Sequence, residues 1–275
     1  MSERQVVRVF QSTPTSDGAG VRLNRGIGTA ALDHFDPFLL LDEFRSDDPR
    51  GYLAGFPDHP HRGFETVTYM LAGSMQHRDH RGHEGHLVAG SVQWMTAGRG
   101  IVHSEMPRQR DGLLWGFQLW VNLPAKHKLC EPRYQELAPE QIPTFAGPGH
   151  RGRVIAGTLG ETVGAVRGIV TAPLFVDLEL ERRVTWVQPL AAEVNACCYV
   201  YQGRVRLADQ RIAAGQLALL GPGEGLQLVS EDEPARLLLL AARPLGEPIA
   251  RHGPFVMNTP EEIAQALRDF QSGRF

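Results

Sequence analysis

Two short dyads stand out in the chain because their spacing can put both members on one face of an extended strand. In FPDHPHRGFETVTYM, His59 and His61 are two residues apart. Strand side chains alternate between faces, so both rings project the same way, with Cα atoms roughly 6.6 Å apart. A helix would splay them. Pro60, which lacks an N–H, suits a strand at a rim or an edge rather than a central one. In TAGRGIVHSEMP, His103 and Glu105 repeat the pattern, with Ser104 turned away. Three imidazoles and one carboxylate form a mixed donor set suited to Fe(II) and chemically open to Mn, Ni, Co, Cu or Zn. On an octahedral ion such a set leaves room for a substrate atom and dioxygen.

Other candidates are weaker. His77, His80, His83 and His86 recur every third residue, but Gly82 and Gly85 interrupt any helix. That segment reads as a polar hairpin loop rather than a second metal cluster. SDGAGVRLNRGIG lacks the Lys-Ser/Thr ending of a phosphate loop and no helical pattern follows it, so it reads as a β-turn. Cys130, Cys197 and Cys198 have none of the spacings of zinc ribbons or redox motifs and are expected to be idle thiols in a reducing compartment.

Strands must carry the dyads, and the composition supplies them. The 275 residues include 30 Gly and 19 Pro, a turn-dense mixture favouring many short strands. Apolar segments such as Val67 to Leu71, Ser91 to Met95, Gly116 to Val121, Phe175 to Leu180 and Leu237 to Leu240 alternate with Gly, Pro and Asp, as in an antiparallel sandwich or barrel. The breaker-rich stretch 138–151 is the expected linker. Either side of it a similar pair of signals recurs: VTYMLAG then GSVQWMTAGRG, and CYVYQG then GQLALLGPGEG, which suggests a duplicated β-barrel. The second half has no dyad, and Glu224 alone cannot assemble a coordination shell, so its barrel is expected to be metal-free.

One helix is expected, at the C-terminal end. Thr259 can cap it, Pro260 fits its first position and Glu262 completes a capping box. Ile263, Leu267 and Phe270 form one apolar stripe, and Gly273 stops it.

Charge and hydropathy remove several function classes. The formal net charge is −3, so no positive field exists to hold nucleic acid directly. The longest aliphatic run, Leu237 to Ala242, is too short for a membrane span, and MSERQVVRVF has no signal-peptide core. A soluble cytoplasmic protein is expected.

The sequences HPHRGFETVTYMLAG and GSVQWMTAGRGIVHSEMP closely resemble the pirin family, a branch of the cupin superfamily. The resemblance extends to VRLNRGIG, DPFLLLDEF, FQLWVNLPAKHK and GPFVMNTPEEIAQALRDFQSGRF. It implies an all-β fold of two antiparallel cupin-type β-barrels (jelly rolls) in tandem with a C-terminal helix. The expected division is a metal-binding barrel over 1–137, a linker over 138–151 and a metal-free barrel over 152–275. The family's H-P-H and H-x-E pattern is matched by His59, His61, His103 and Glu105, with iron as the usual metal. The general cupin turn P-x-G-x-x-H is not kept: it reads Thr96-Ala97-Gly98, with His103 five residues past the glycine. Glu65 is assigned a supporting or pocket role, because Glu105 fills the acidic position. Gln118, if it faces the site, would position water or a ligand, and a merely packed amide is an equal alternative.

Pirins are associated with quercetin 2,3-dioxygenase activity, so the resemblance implies a flavonol substrate, dioxygen, and Glu105 or a bound hydroxide as proton acceptor. Phe56, Trp94 and Trp115 are expected to line the pocket. Some pirins resemble metal- or redox-sensing regulators, which implies, as the alternative, a protein partner such as a transcription factor or metabolic enzyme.

Overall fold

The computed structural model describes residues 2–275, and its sheets are antiparallel. The chain forms two compact units, neither contiguous in sequence. One comprises residues 14–28, 37–139 and 245–275; the other comprises residues up to Thr13, 29–36 and 140–244. Backbone pairing explains the exchange of ends. The early strand Val6–Gln11 pairs with Gln216–Leu220, and the late hairpin Ala250–His252/Phe255–Met257 bonds to Arg62 through Pro254 and Val256. The Pro- and Gly-rich stretch 138–151 supplies the strand Thr144–Gly147, paired with His150–Ala156, so its breakers shape a hairpin of the second unit.

Each unit is a seven-stranded sheet with a four-stranded sheet, in the cupin jelly-roll pattern. In the dyad-bearing unit the larger sheet runs Arg133–Leu137, Val92–Thr96, Phe64–Ala72, Leu114–Asn122, Phe38–Ser46, Val21–Ile27, Thr13–Asp17. The smaller runs Phe56–His61, Ile101–Pro107, Ser74–Asp79, Glu84–Val88. The other unit's larger sheet runs Val6–Gln11, Gln216–Leu220, Asn195–Gln202, Ala235–Ala242, Leu174–Leu180, His150–Ala156, Thr144–Gly147, and its smaller sheet Thr185–Pro189, Gly225–Ser230, Arg204–Leu207, Gln210–Ala213. The two orders match strand for strand, so the faint internal repeat is a duplicated topology.

The correspondence also shows why one unit has the dyads. Phe56–His61 and Ile101–Pro107 match Thr185–Pro189 and Gly225–Ser230 in position. Those second-unit strands send Trp186, Leu226 and Leu228 into a continuous apolar core with Val176, Leu178 and Leu239. Side chains that take up buried apolar area stand there, and no ligand does.

The helix Pro260–Gln271 forms as its caps dictate. Thr259 Oγ1 accepts from the Glu262 N–H at 3.2 Å while Glu262 Oε2 accepts from the Thr259 N–H at 3.0 Å. Its apolar stripe packs Ile263 and Ala266 on Phe255 and Met257. All three cysteines are free; Cys197 and Cys198 are buried, and burial pushes the Cys198 thiol up to about 12, consistent with idle thiols. No helix among the described residues is long and apolar enough to cross a membrane.

Candidate metal centre

Both dyads lie on neighbouring strands of the small sheet. In the antiparallel ladder His59 sits directly opposite His103, and His61 opposite Ile101. Phe56–His61 is an edge strand, so Pro60 forfeits no bond the ladder needs. Alternation turns His59, His61 and His103 to one side, with ring centroids 4.7 Å (His59–His61), 4.5 Å (His59–His103) and 4.9 Å (His61–His103) apart. One nitrogen from each ring lies within 4.8 Å of the others.

Burial acts most strongly on two of the rings. Burial first, then the neighbouring imidazoles, hold His61 and His103 well below the ordinary histidine range. His59 Nδ1 lies 2.8 Å from the Pro57 carbonyl and His103 Nδ1 lies 3.2 Å from His77 Nδ1. Buried His103 Nε2 and both buried nitrogens of His61 have no hydrogen-bond partner. Buried polar atoms without partners are costly. Three imidazoles with nitrogens this close together fit a divalent first-row cation, which would satisfy the partnerless nitrogens of His61 and His103.

Glu105 follows His103 on the same strand face and is 2% exposed. It stands outside the three-histidine set: its Oε1 accepts from Thr68 Oγ1 at 2.7 Å and its Oε2 from Gln118 Nε2 at 2.8 Å. Gln118 thus faces the site and orients this carboxylate.

A cavity of about 520 Å³ opens beside the histidines, within the range of small-molecule sites. His59, His61, Gln118, Phe56 and Trp120 form one part of its wall. Trp120 packs edge-on against His61 at 5.2 Å. Farther along, Arg25 donates to both oxygens of buried Asp42, at 2.8 and 2.7 Å. Burial outweighs that ion pair and pushes the Asp42 carboxyl up to about 6. Arg251 and Pro254, from the late hairpin, complete the rim.

Of the expected aromatic lining, Phe56 is in place, and Trp94 and Trp115 are not. Trp115 is on the strand parity opposite to Gln118 and Trp120, and donates Nε1–H to Glu43 at 2.8 Å. Trp94 is opposite Val67, on the sheet face turned away from Thr68. Glu65 is on that same outer face, where its Oε1 accepts from Thr96 Oγ1 at 2.6 Å, so it neither supports a ligand nor lines the cavity. The cause is Gly63, whose φ of +89° turns the chain between Phe56–His61 and Phe64–Ala72 and breaks the alternation that counting from His61 assumes.

Sequence reasoning missed His77, Trp120, and the Arg25–Asp42 pair. Trp120 was signalled by its spacing of two from Gln118. His77 is no loop residue: it lies in the strand Ser74–Asp79, 1% exposed and directly opposite Glu105, while His86 of the same run is exposed.

Comparison with known proteins agrees with this geometry. Residues 20–121 match the family model described as Pirin, and residues 175–275 the model described as Pirin C-terminal cupin domain. A pirin-like protein of Caulobacter vibrioides is 49% identical over 277 residues, covering 100% of each chain. Pirin of Homo sapiens is 42% identical, covering 99% of this chain and 94% of its own. The crystal structure of quercetin 2,3-dioxygenase from Acinetobacter baumannii superimposes with a TM-score of 0.93 at 32% identity, covering 100% of this chain and 99% of that one. On matched sequence over most of its length and on a duplicated jelly roll with a histidine cluster in one half, the chain belongs to the pirin family.

Proposed function

We propose that the chain is an iron-dependent dioxygenase that opens the heterocycle of flavonols such as quercetin. In this reaction both atoms of dioxygen enter the organic product, a depside, and the hydroxyl-bearing ring carbon leaves as carbon monoxide. The observation that carries the reading is the convergence of His59, His61 and His103, with buried nitrogens of His61 and His103 left without partners, beside an aromatic-lined cavity that His59 and His61 help to wall. The similarity to the Acinetobacter baumannii quercetin 2,3-dioxygenase supports the choice of substrate class. Bound Fe(II) would supply a Lewis acid for the flavonol oxyanion and one-electron chemistry toward dioxygen that side chains lack.

His59, His61 and His103 would hold the ion, with Glu105 as fourth ligand and catalytic base. Thr68 and Gln118 fix the orientation of the carboxylate, and releasing Gln118 would free Oε2 to accept the proton of the flavonol hydroxyl. Phe56 and Trp120 offer apolar faces to a flat ring system, and the Arg25–Asp42 pair offers a polar wall to its hydroxyls.

The test is anaerobic Fe(II) loading followed by quercetin and air. Loss of flavonol absorbance with stoichiometric carbon monoxide, abolished in His61→Ala, is expected. A fully iron-loaded protein that leaves quercetin unchanged overturns the enzymatic reading, and reproducible capture of one protein partner would then favour the regulator.

A further inference from the structure

The histidine-rich hairpin contributes one ring to the metal centre without being a ligand. His77 is not among the three imidazoles whose nitrogens converge, yet its Nδ1 lies 3.2 Å from His103 Nδ1. Two imidazole nitrogens facing each other at that distance share one proton: one must be N–H and the other a lone pair. Both His103 Nε2 and His77 Nε2 are buried without a protein partner, but only His103 belongs to the converging set, and its ring can give the Nε2 lone pair to a cation only if its proton is on Nδ1. The His77 Nδ1 must then be the acceptor, which places the His77 proton on Nε2.

The same arrangement recurs at His59, whose Nδ1 faces the Pro57 carbonyl, an acceptor that can only receive. Two of the three imidazoles therefore have Nδ1 fixed by an acceptor and Nε2 left for the site. The His77 ring is itself held in place. It packs 4.7 Å from the Tyr134 ring, Tyr134 stacks on His83 at 4.4 Å, and His83 Nε2 lies 3.2 Å from Glu136 Oε1.

We propose that His77 is a positioning residue for the metal centre, accepting the Nδ1–H of His103 and thereby fixing the tautomer that turns His103 Nε2 toward the cation. The proposal rests on reading His59, His61 and His103 as metal ligands. Partners of this kind in metal sites change affinity by about 10- to 100-fold when removed. The usual partner is a carboxylate or a carbonyl; an imidazole does the same work without adding negative charge beside the ligands.

Co(II) titration of metal-free wild type, His77→Asn and His77→Leu tests the proposal, with affinity read by competition and geometry by the visible d–d absorption. Asn keeps an acceptor near the Nδ1 position, and Leu does not. The expected result is near-wild-type affinity for His77→Asn, and for His77→Leu a loss of about 10- to 100-fold with a changed spectrum. Equal losses in both variants, or none in His77→Leu, overturn the proposal. A wild type that binds no Co(II) overturns the metal reading beneath it. Long-range ¹H–¹⁵N correlation on zinc-loaded wild type reads the tautomers without any substitution: His103 protonated on Nδ1 and His77 on Nε2 is expected, and the reverse at His77 overturns the proposal even if His77→Leu fails to fold.

Discussion

At the scale of single residues, the centre is set by what burial does to imidazole. His61 and His103 are 2% and 1% exposed, and burial favours their neutral form. Their folded-state affinity for protons is therefore below that of the unfolded chain, near 6.5. Below that pH the unfolded state binds more protons, so metal-free protein loses stability as pH falls, by up to about 1.4 kcal/mol per pH unit for each histidine. Urea midpoints of metal-free protein at pH 7.5, 6.5 and 5.5 check the sign, and the slope should flatten in His103→Gln. A pH-independent midpoint contradicts buried neutral rings. Metal content gives a second check: His103→Ala, purified without chelators, should retain little of the wild-type occupancy, and normal occupancy removes His103 from the ligand set.

Strands and turns determine whether those residues meet. The link between Phe56–His61 and Phe64–Ala72 is pinned from several sides: an added Cβ on Gly63 would lie 2.0 Å from the Val256 carbonyl oxygen, and Lys128 holds the same region. Lys128 Nζ donates to the Gly63 carbonyl at 2.8 Å, to Asn122 Oδ1 at 2.6 Å and to the Val256 carbonyl at 3.0 Å. Burial lowers its amine to about 8, and its three donors are satisfied. Lys128→Met removes the donors and strands two buried carbonyls, for a loss of about 3 kcal/mol in unfolding free energy. Metal affinity should fall as well, because Gly63 follows His61 by two residues. Unchanged metal affinity in folded Lys128→Met would show that the link does not govern the site.

Across the whole molecule, residues far apart in sequence complete the dyad-bearing unit. Arg62, next to His61, donates to the Arg99 carbonyl and to Asp269 Oδ2, the latter at 2.8 Å, and lies beneath the Phe275 ring at 4.4 Å. Its guanidinium holds the Asp269 carboxyl down at about 2. This pair contributes stability that is complete above about pH 4 and fades as pH falls toward 2. Asp269→Asn leaves Arg62 largely buried with a weaker partner and should cost about 2 kcal/mol at neutral pH, below the range for a fully buried pair because Asp269 is partly exposed. Chemical denaturation measures this, and a stability equal to wild type would assign the pair no weight. The second unit's matching strand order, with Trp186, Leu226 and Leu228 where the dyads stand, shows one architecture serving once as a site and once as a packed core.

Local pattern was enough for the dyads, the strands beneath them and the capped helix, because alternation and capping act over a few residues. His59 and His61 share a face as their period of two required, cross-strand pairing brought His103 beside them, and the glycine-punctuated repeat is visible in the duplicated sheets. What only the folded chain decided depends on parity across turns and on pairing between distant segments. The Gly63 turn reset the alternation and sent Glu65 outward; strand parity put Trp120 in the cavity and left Trp94 and Trp115 outside it. Register between Ser74–Asp79 and Ile101–Pro107 brought His77 to His103, and the late hairpin brought Arg251 and Pro254 to the rim. Hydrogen-bonded ladders join residues whose sequence separation carries no periodic signal, so neither a partner for His103 nor a rim from the far end of the chain can be read from composition and spacing.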